Sequence, residues 1–172
     1  MNAIGTADLC DTFAADVQVC AAQFRMFGAR RSFSGIIQTV STYEDAGLVK
    51  QCLEQPGQGR VLVVDGGGST RVALLGDRLA TLAIQNGWAG VIVLGAVRDT
   101  EVLASLDIGV VGLAATPLRG SLDGAGSMGA AFQFGSADFA PGRQVYCDAD
   151  GVVVSAQPLS DAYDGVQDAS AY

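Results

Sequence analysis

The 172-residue chain contains no histidine, a single lysine (Lys50) and no Cys-x-x-Cys pair. Without an imidazole it cannot supply a His-containing zinc site, or the Ser-His or Cys-His pair of a nucleophilic hydrolase. Any general acid or base must come from a carboxylate, a thiol, a phenol, the lysine or water. No apolar run approaches the eighteen or more residues of a membrane span, so a membrane partner is not expected. Charge is sparse as well: 16% of residues are charged, ten basic against eighteen acidic, for a formal net charge of −8. A nucleic-acid binder clusters cations to displace counterions from phosphate. Here the basic residues are scattered, with Arg30-Arg31 the only adjacent pair, so direct nucleic-acid binding is not expected either.

What is present describes a folded protein. Apolar residues make up 49% of the chain, too many for intrinsic disorder, and the length suits one domain spanning 1–172, with an acidic, Ala/Ser-rich loose tail after about residue 158. So few charges leave much small or apolar surface to cover, which favours an oligomer. Cys10, Cys20, Cys52 and Cys147 read as reduced, mostly buried thiols. The opening residues show no basic stretch leading into an apolar core, and a cytoplasmic location is expected.

Along the chain, Thr6 to Phe13 reads as a short helix capped by the Thr6 hydroxyl. Gly35 to Val40 reads as a strand, and Tyr43 to Leu53 as a helix. Val61 to Val64 is a buried-strand pattern stopping at Asp65-Gly66-Gly67-Gly68. After a long turn from Asp65 to Leu75, a helix is predicted from Gly76-Asp77 to Asn86, with Gly87 as its left-handed cap. Val91 to Leu94 is a second apolar strand, followed by a short helix near Glu101 to Leu106. This strand-helix-strand run is a βαβ unit, and the fold class is α/β. Ile108 to Leu113 is a further strand and Ala114 to Gly129 a small-residue loop. Ala131 to Phe134, Gln144 to Cys147 and Val152 to Val154 are strands, the last two joined through Asp150-Gly151.

Two spots can carry chemistry. Gly76-Asp77-Arg78-Leu79 opens a helix, whose free N–H groups can bind a carboxylate. Arg98-Asp99 follows a strand, where Arg98 can grip a second carboxylate and Asp99 a hard divalent cation. The competing reading of Arg98-Asp99 is a surface ion pair with Asp99 capping the next helix. The Asp65-to-Gly68 run lacks the spacing of GxGxxG, and nothing matches GxxxxGK[ST], so a structural turn is its default. Trp88 reads as core or interface.

From Gly59 through Val110, the segment GRVLVVDGGGSTRVALLGDRLATLAIQNGWAGVIVLGAVRDTEVLASLDIGV closely resembles the RraA-like family, as does nearly the whole chain from Thr6 to Val152. That family includes regulators of ribonuclease activity and metal-dependent 4-hydroxy-4-methyl-2-oxoglutarate aldolases. The resemblance implies a compact α/β sandwich with a swivelling-type β/β/α core, assembled as a homotrimeric ring or a multiple of it, with pockets near subunit boundaries. Interface contributors are expected around Trp88-Ala89-Gly90 and Leu113 to Leu118. It further implies that Gly76, Asp77, Arg78 and Leu79 bind substrate, that Arg98 binds substrate and acts in catalysis, and that Asp99 holds Mg²⁺ or Mn²⁺. Asp77, or water activated by a pocket carboxylate, would take the proton of the substrate hydroxyl. The substrate is a small 2-keto carboxylate, and oxaloacetate decarboxylation is the expected side activity. Ribonuclease-regulating members often lack the acid beside the arginine. The presence of Asp99 favours the aldolase, with an endoribonuclease as the partner in the alternative. The chain departs from the family pattern at Pro141-Gly142-Arg143, where relatives often have an aspartate after the glycine.

Overall fold

Alternation within the apolar runs builds the centre of the fold. In a computed structural model describing residues 5–159, Leu62 and Val64 face one side of a sheet and Val61 and Val63 the other. Val91 and Val93 likewise oppose Ile92 and Leu94. Both faces of these strands are therefore covered, which is why they read as continuous apolar runs and not as polar-apolar alternation.

The elements in chain order are α1 (Thr6–Thr12), β1 (Val17–Val19), β2 (Arg25–Met26), β3 (Phe33–Ser41), α2 (Gly47–Leu53), β4 (Val61–Asp65), β5 (Ala73–Leu75) and α3 (Asp77–Gln85). They continue with β6 (Gly90–Val97), α4 (Thr100–Leu103), β7 (Gly109–Ala115), β8 (Ser127–Met128), β9 (Phe132–Phe134), β10 (Ala137–Phe139), β11 (Gln144–Asp148) and β12 (Gly151–Ser155). One mixed ten-stranded sheet runs β1-β12-β11-β3-β4-β6-β7-β2, with β5 beside β6 and β8 beside β3. β3, β4, β6 and β7 are mutually parallel, and β11 and β12 form an antiparallel hairpin closed at Asp148–Gly151. One face packs against α2, α3 and α4; the other is covered by the β9-β10 hairpin and its neighbours. This is the expected α/β class. Among the described residues no helix is long and apolar enough to cross a membrane.

Several expectations need correction. The Thr6 hydroxyl does not cap its own helix; it donates to Asp148 Oδ1 at 2.7 Å and ties α1 to the β11 end. α2 begins at Gly47 and not at Tyr43, because Glu44 takes a left-handed conformation (φ 56°) and Asp45 is used in side-chain hydrogen bonding. The Asp65-to-Leu75 stretch is not all turn: it contains β5, too short to stand out from its glycine-rich surroundings. Trp88 and Gly90 are buried inside the chain's own core, where Trp88 Nε1–H donates to the Gln55 carbonyl, so they are not free to form an interface. Leu118, by contrast, is 62% exposed. Of the expected tail, Leu159 is docked, its N–H donating to the Tyr146 hydroxyl at 2.8 Å; residues 160–172 lie outside the described residues.

Candidate functional site

At the carboxyl ends of the parallel strands, β5 decides which loops meet. It lies parallel to β6, Leu75 beside Val97, and the Arg98 N–H donates to the Leu75 carbonyl at 3.0 Å. The residues that follow, Gly76-Asp77 on one strand and Arg98-Asp99 on the other, are therefore neighbours. Crevices of this kind, at strand carboxyl ends, are where open α/β sheets bind ligands.

Gly76 stands at the N-cap of α3 with no side chain to cap it. Asp99 Oδ2 takes that place, accepting the Asp77 N–H at 3.3 Å. Arg78 N–H donates to Asp77 Oδ1 at 2.8 Å, and among the described residues the Leu79 N–H donates to no group outside its helix. A Cβ on Gly76 would lie 2.6 Å from Asp99 Oδ2 and 3.2 Å from Arg98 Cγ, so only glycine lets the two loops come this close. Asp99 is itself left-handed (φ 58°, ψ 41°), a conformation that aspartate adopts more readily than most residues but still uncommonly, and its carboxylate lies 3.7 Å from Arg98 Nε. It occupies the N-cap position of α4 but makes no side-chain capping bond there. The ion pair of the competing reading exists; the cap does not.

These groups line a cleft of about 200 Å³. Gly76, Asp77, Arg78, Leu79, Arg98 and Asp99 all border it. The sequence reading missed the rest of the wall: Lys50 and Ala46 from the α2 segment, Ala73 to Leu75 of β5, and Arg119 and Leu122 from the segment after β7. Four of the ten basic residues thus face one cleft, against two of the eighteen acidic ones, in a chain of net charge −8. Lys50 as the only lysine, and Arg119 as a lone cation in a small-residue loop, were the available signals.

The segment carrying Arg119 has no long element of its own. Ala73 N–H donates to the Leu118 carbonyl and Gly120 N–H to the Ala73 carbonyl, at 2.7 and 3.0 Å. Asp45, 2% exposed, holds the following turn: its Oδ1 accepts from Gly47 and Gly124 N–H, and its Oδ2 from the Ser121 hydroxyl and the Asp123 N–H. Burial pushes the Asp45 carboxyl up, but the Ser121 hydroxyl and the three N–H groups outweigh it and hold it at about 2. Gly124 to Gly129 has GxGxxG spacing but contains β8 and is followed by β9, not a helix, and its Gly124 N–H is committed to Asp45. It lacks the strand-turn-helix context of a dinucleotide site. The thiols lie away from the cleft lining, and burial raises Cys52 to about 11 and Cys147 to about 12, so neither is a ready nucleophile. Among the described residues no three metal-binding side chains cluster.

The family described as RraA-like (Aldolase/RraA) matches residues 6–154. The chain belongs to the RraA-like family. A relative from Aromatoleum aromaticum, provisionally named 4-hydroxy-4-methyl-2-oxoglutarate aldolase, is 49% identical over 154 residues, covering 90% of this chain and 97% of its own. The RNA-processing inhibitor RraA from Thermus thermophilis superposes with TM-score 0.87 at 41% identity, over 90% of this chain and 94% of that one. A Geobacillus kaustophilus structure named S-adenosylmethionine:2-dimethylmenaquinone methyltransferase superposes with TM-score 0.90 at 46% identity, over 92% and 98%. One RraA-like fold thus carries three differing names, and the activity of this member has to be argued from its cleft.

Proposed function

We propose that this RraA-like protein is a divalent-metal-dependent lyase that cleaves 4-hydroxy-4-methyl-2-oxoglutarate to two pyruvates and decarboxylates oxaloacetate as a side activity. The observation that carries the reading is the meeting of Gly76 to Leu79 with Arg98-Asp99 in one cation-rich cleft of an otherwise acidic chain. The aldolase names of relatives such as that of Aromatoleum aromaticum support the reaction class.

The donor set fits a hard cation. Asp99 offers one partly exposed carboxylate at the cleft, with no imidazole and no thiolate among the lining residues. Mg²⁺ and Mn²⁺ accept one carboxylate, keep several waters and take further oxygens from substrate. Asp99 would hold the ion, which when bound withdraws electron density from a 2-oxo carbonyl. Arg98 grips the carboxylate of the same pyruvyl half and favours the negative charge that develops on its 2-oxo oxygen as the C–C bond breaks. The Leu79 N–H, at the positive end of α3, is a further donor to that carboxylate. A water held by the Asp77 carboxylate takes the proton of the substrate 4-hydroxyl, ahead of direct transfer to Asp77.

Pyruvate release measured on both substrates tests the reading. Turnover should require added Mg²⁺ or Mn²⁺ and disappear in EDTA; equal rates with and without metal, above the metal-only blank, overturn it. The proposed active unit is a homotrimer or a multiple of it, supported by exposed Leu118 and Leu122 beside the cleft. Light scattering should give three chain masses or a multiple, and Leu118→Asp should lower mass and turnover together. Four free cysteines, of which three are buried, suit the cytoplasm.

A second reading, a protein partner that inhibits an endoribonuclease, is favoured by the 41% identity to the Thermus RNA-processing inhibitor and by the −8 charge. Salt-sensitive capture of the ribonuclease's basic scaffold region, with slowed RNA cleavage, would support it. No complex at micromolar protein and low salt would exclude it.

A further inference from the structure

Arg98 and the start of α3 account for one carboxylate and its adjoining carbonyl, yet two more cations face the same space. Arg119 is fixed at the opposite end of β5: its segment is bridged to Ala73, whereas Gly76 and Arg98 flank Leu75. At about 3.3 Å per residue, β5 separates these backbone positions by ~7–10 Å. Arg98 and Arg119 both line the cleft, and that backbone spacing is on the scale of a short diacid. Lys50 joins Arg119 in the lining from α2. Among the described residues neither cation is committed elsewhere. Lys50 has only an i,i+4 contact with Glu54 at 3.8 Å, between half-exposed side chains, and Arg119 enters none of the ion pairs among the described residues. Surface pairs of that kind hold a lysine weakly. The wall beneath them is built: buried Asp45 accepts four hydrogen bonds, three of them from the turn that follows Arg119.

We propose that Lys50 and Arg119 are specificity-determining residues of this cleft, together holding the far carboxylate of a 2-oxo diacid whose main chain has five carbons. This rests on the lyase reading and adds a specificity determinant to it. In retro-aldol cleavage the far carboxylate stays charged from ground state to transition state. The pair therefore contributes uniform binding, which appears in KM more than in kcat. In oxaloacetate the far carboxylate sits one carbon nearer the carbonyl and gives up its charge as carbon dioxide departs. Cations that grip it give decarboxylation no advantage.

Calorimetric titration of the full chain in Mg²⁺ buffer tests the subsite without turnover. The probes are 2-oxoglutarate, which lacks the 4-hydroxyl needed for cleavage, and pyruvate. The unaltered protein should bind 2-oxoglutarate more tightly, and Lys50→Ala and Arg119→Ala should each lower that preference ~10-fold, the scale of one charge-assisted hydrogen bond. Lys50→Arg should restore most of it. With the aldol substrate, KM should rise ~10-fold in either alanine variant while kcat moves far less. A preference that both variants leave unchanged, or no preference in the unaltered protein, overturns the subsite; so does a fall in kcat at constant KM. Lys50 is exposed on a helix, so its variant decides the matter even if Arg119→Ala fails to fold. Selective binding of 2-oxoglutarate with no turnover of any substrate would keep the subsite and remove the lyase reading. Metal-dependent turnover with an unchanged binding preference would do the reverse.

Discussion

The two walls of the cleft are made in different ways. One is assembled from the ends of regular elements, the start of α3 and the end of β6, and its carboxylate, Asp99, stays partly exposed with one N–H partner. The other is an irregular segment after β7 whose position depends on a buried carboxylate, Asp45, with four hydrogen-bond donors. The same side chain therefore does opposite work a short distance apart. Where neighbouring elements already fix the backbone, the carboxylate is left partly exposed at the cleft. Where no element fixes it, the carboxylate is consumed in holding the chain.

Exchanging each acid for alanine should separate the two roles. Asp99→Ala should lower metal-dependent turnover by about 10²-fold or more while shifting Tm by only a few degrees, since it removes one long bond to the start of α3 and a partly exposed ion pair from a left-handed position. Asp45→Ala should do the reverse, leaving three N–H groups and a hydroxyl without their acceptor and costing about 2–4 kcal/mol. In a chain of this size that lowers Tm by roughly 5–15 °C. Comparable Tm losses in the two variants would erase the distinction.

Acid sharpens the comparison for the second wall. The Asp45 carboxyl is held at about 2, below its ordinary value of 3.8, so the folded state binds its proton less readily than the unfolded chain. The associated stability is present above pH 3.8 and is lost as pH falls toward about 2. In urea melts from pH 5 down to pH 2, Asp45→Asn should lack this component and show a shallower loss than the parent.

Gly76→Ala tests how tightly the first wall is fitted. The backbone there is extended, so alanine is not strained, but its methyl would displace Asp99 and Arg98. Turnover should fall ~10-fold or more with little change in Tm, and a crystal structure should show Asp99 moved. The smallest effect is expected from Glu54→Gln, which removes the exposed partner of Lys50. Stability should change by less than about 0.5 kcal/mol.

Much of this was legible in the residues themselves. The apolar runs at Val61 and Val91 marked the central parallel strands, Gly87 ended α3 with φ 77°, and Asp150-Gly151 closed the last hairpin. Gly76 to Leu79 and Arg98-Asp99 were recognisable as chemical groups because helix starts and strand ends announce themselves locally. The latch at Asp45 was not: its four partners come from Gly47 and from Ser121 to Gly124, more than seventy positions away for all but the first. Nothing in a local pattern separates a carboxylate so used from a solvated one.

Residue order and composition suffice for the α/β class, the succession of the main strands and helices, the absence of imidazole chemistry and the identity of the two motifs. These follow from hydrophobic period, turn residues and residue counts, all read within a few positions. It takes the folded chain to show that the motifs share a cleft, that Trp88 belongs to the core, and that Lys50 and Arg119 line the same space as Arg98. Those outcomes depend on β5, three residues whose pairing with β6 supplies backbone hydrogen bonds and burial across a sequence gap of more than twenty positions. A strand that short carries too little periodicity to be seen alone, and its partner exists only once the sheet has formed.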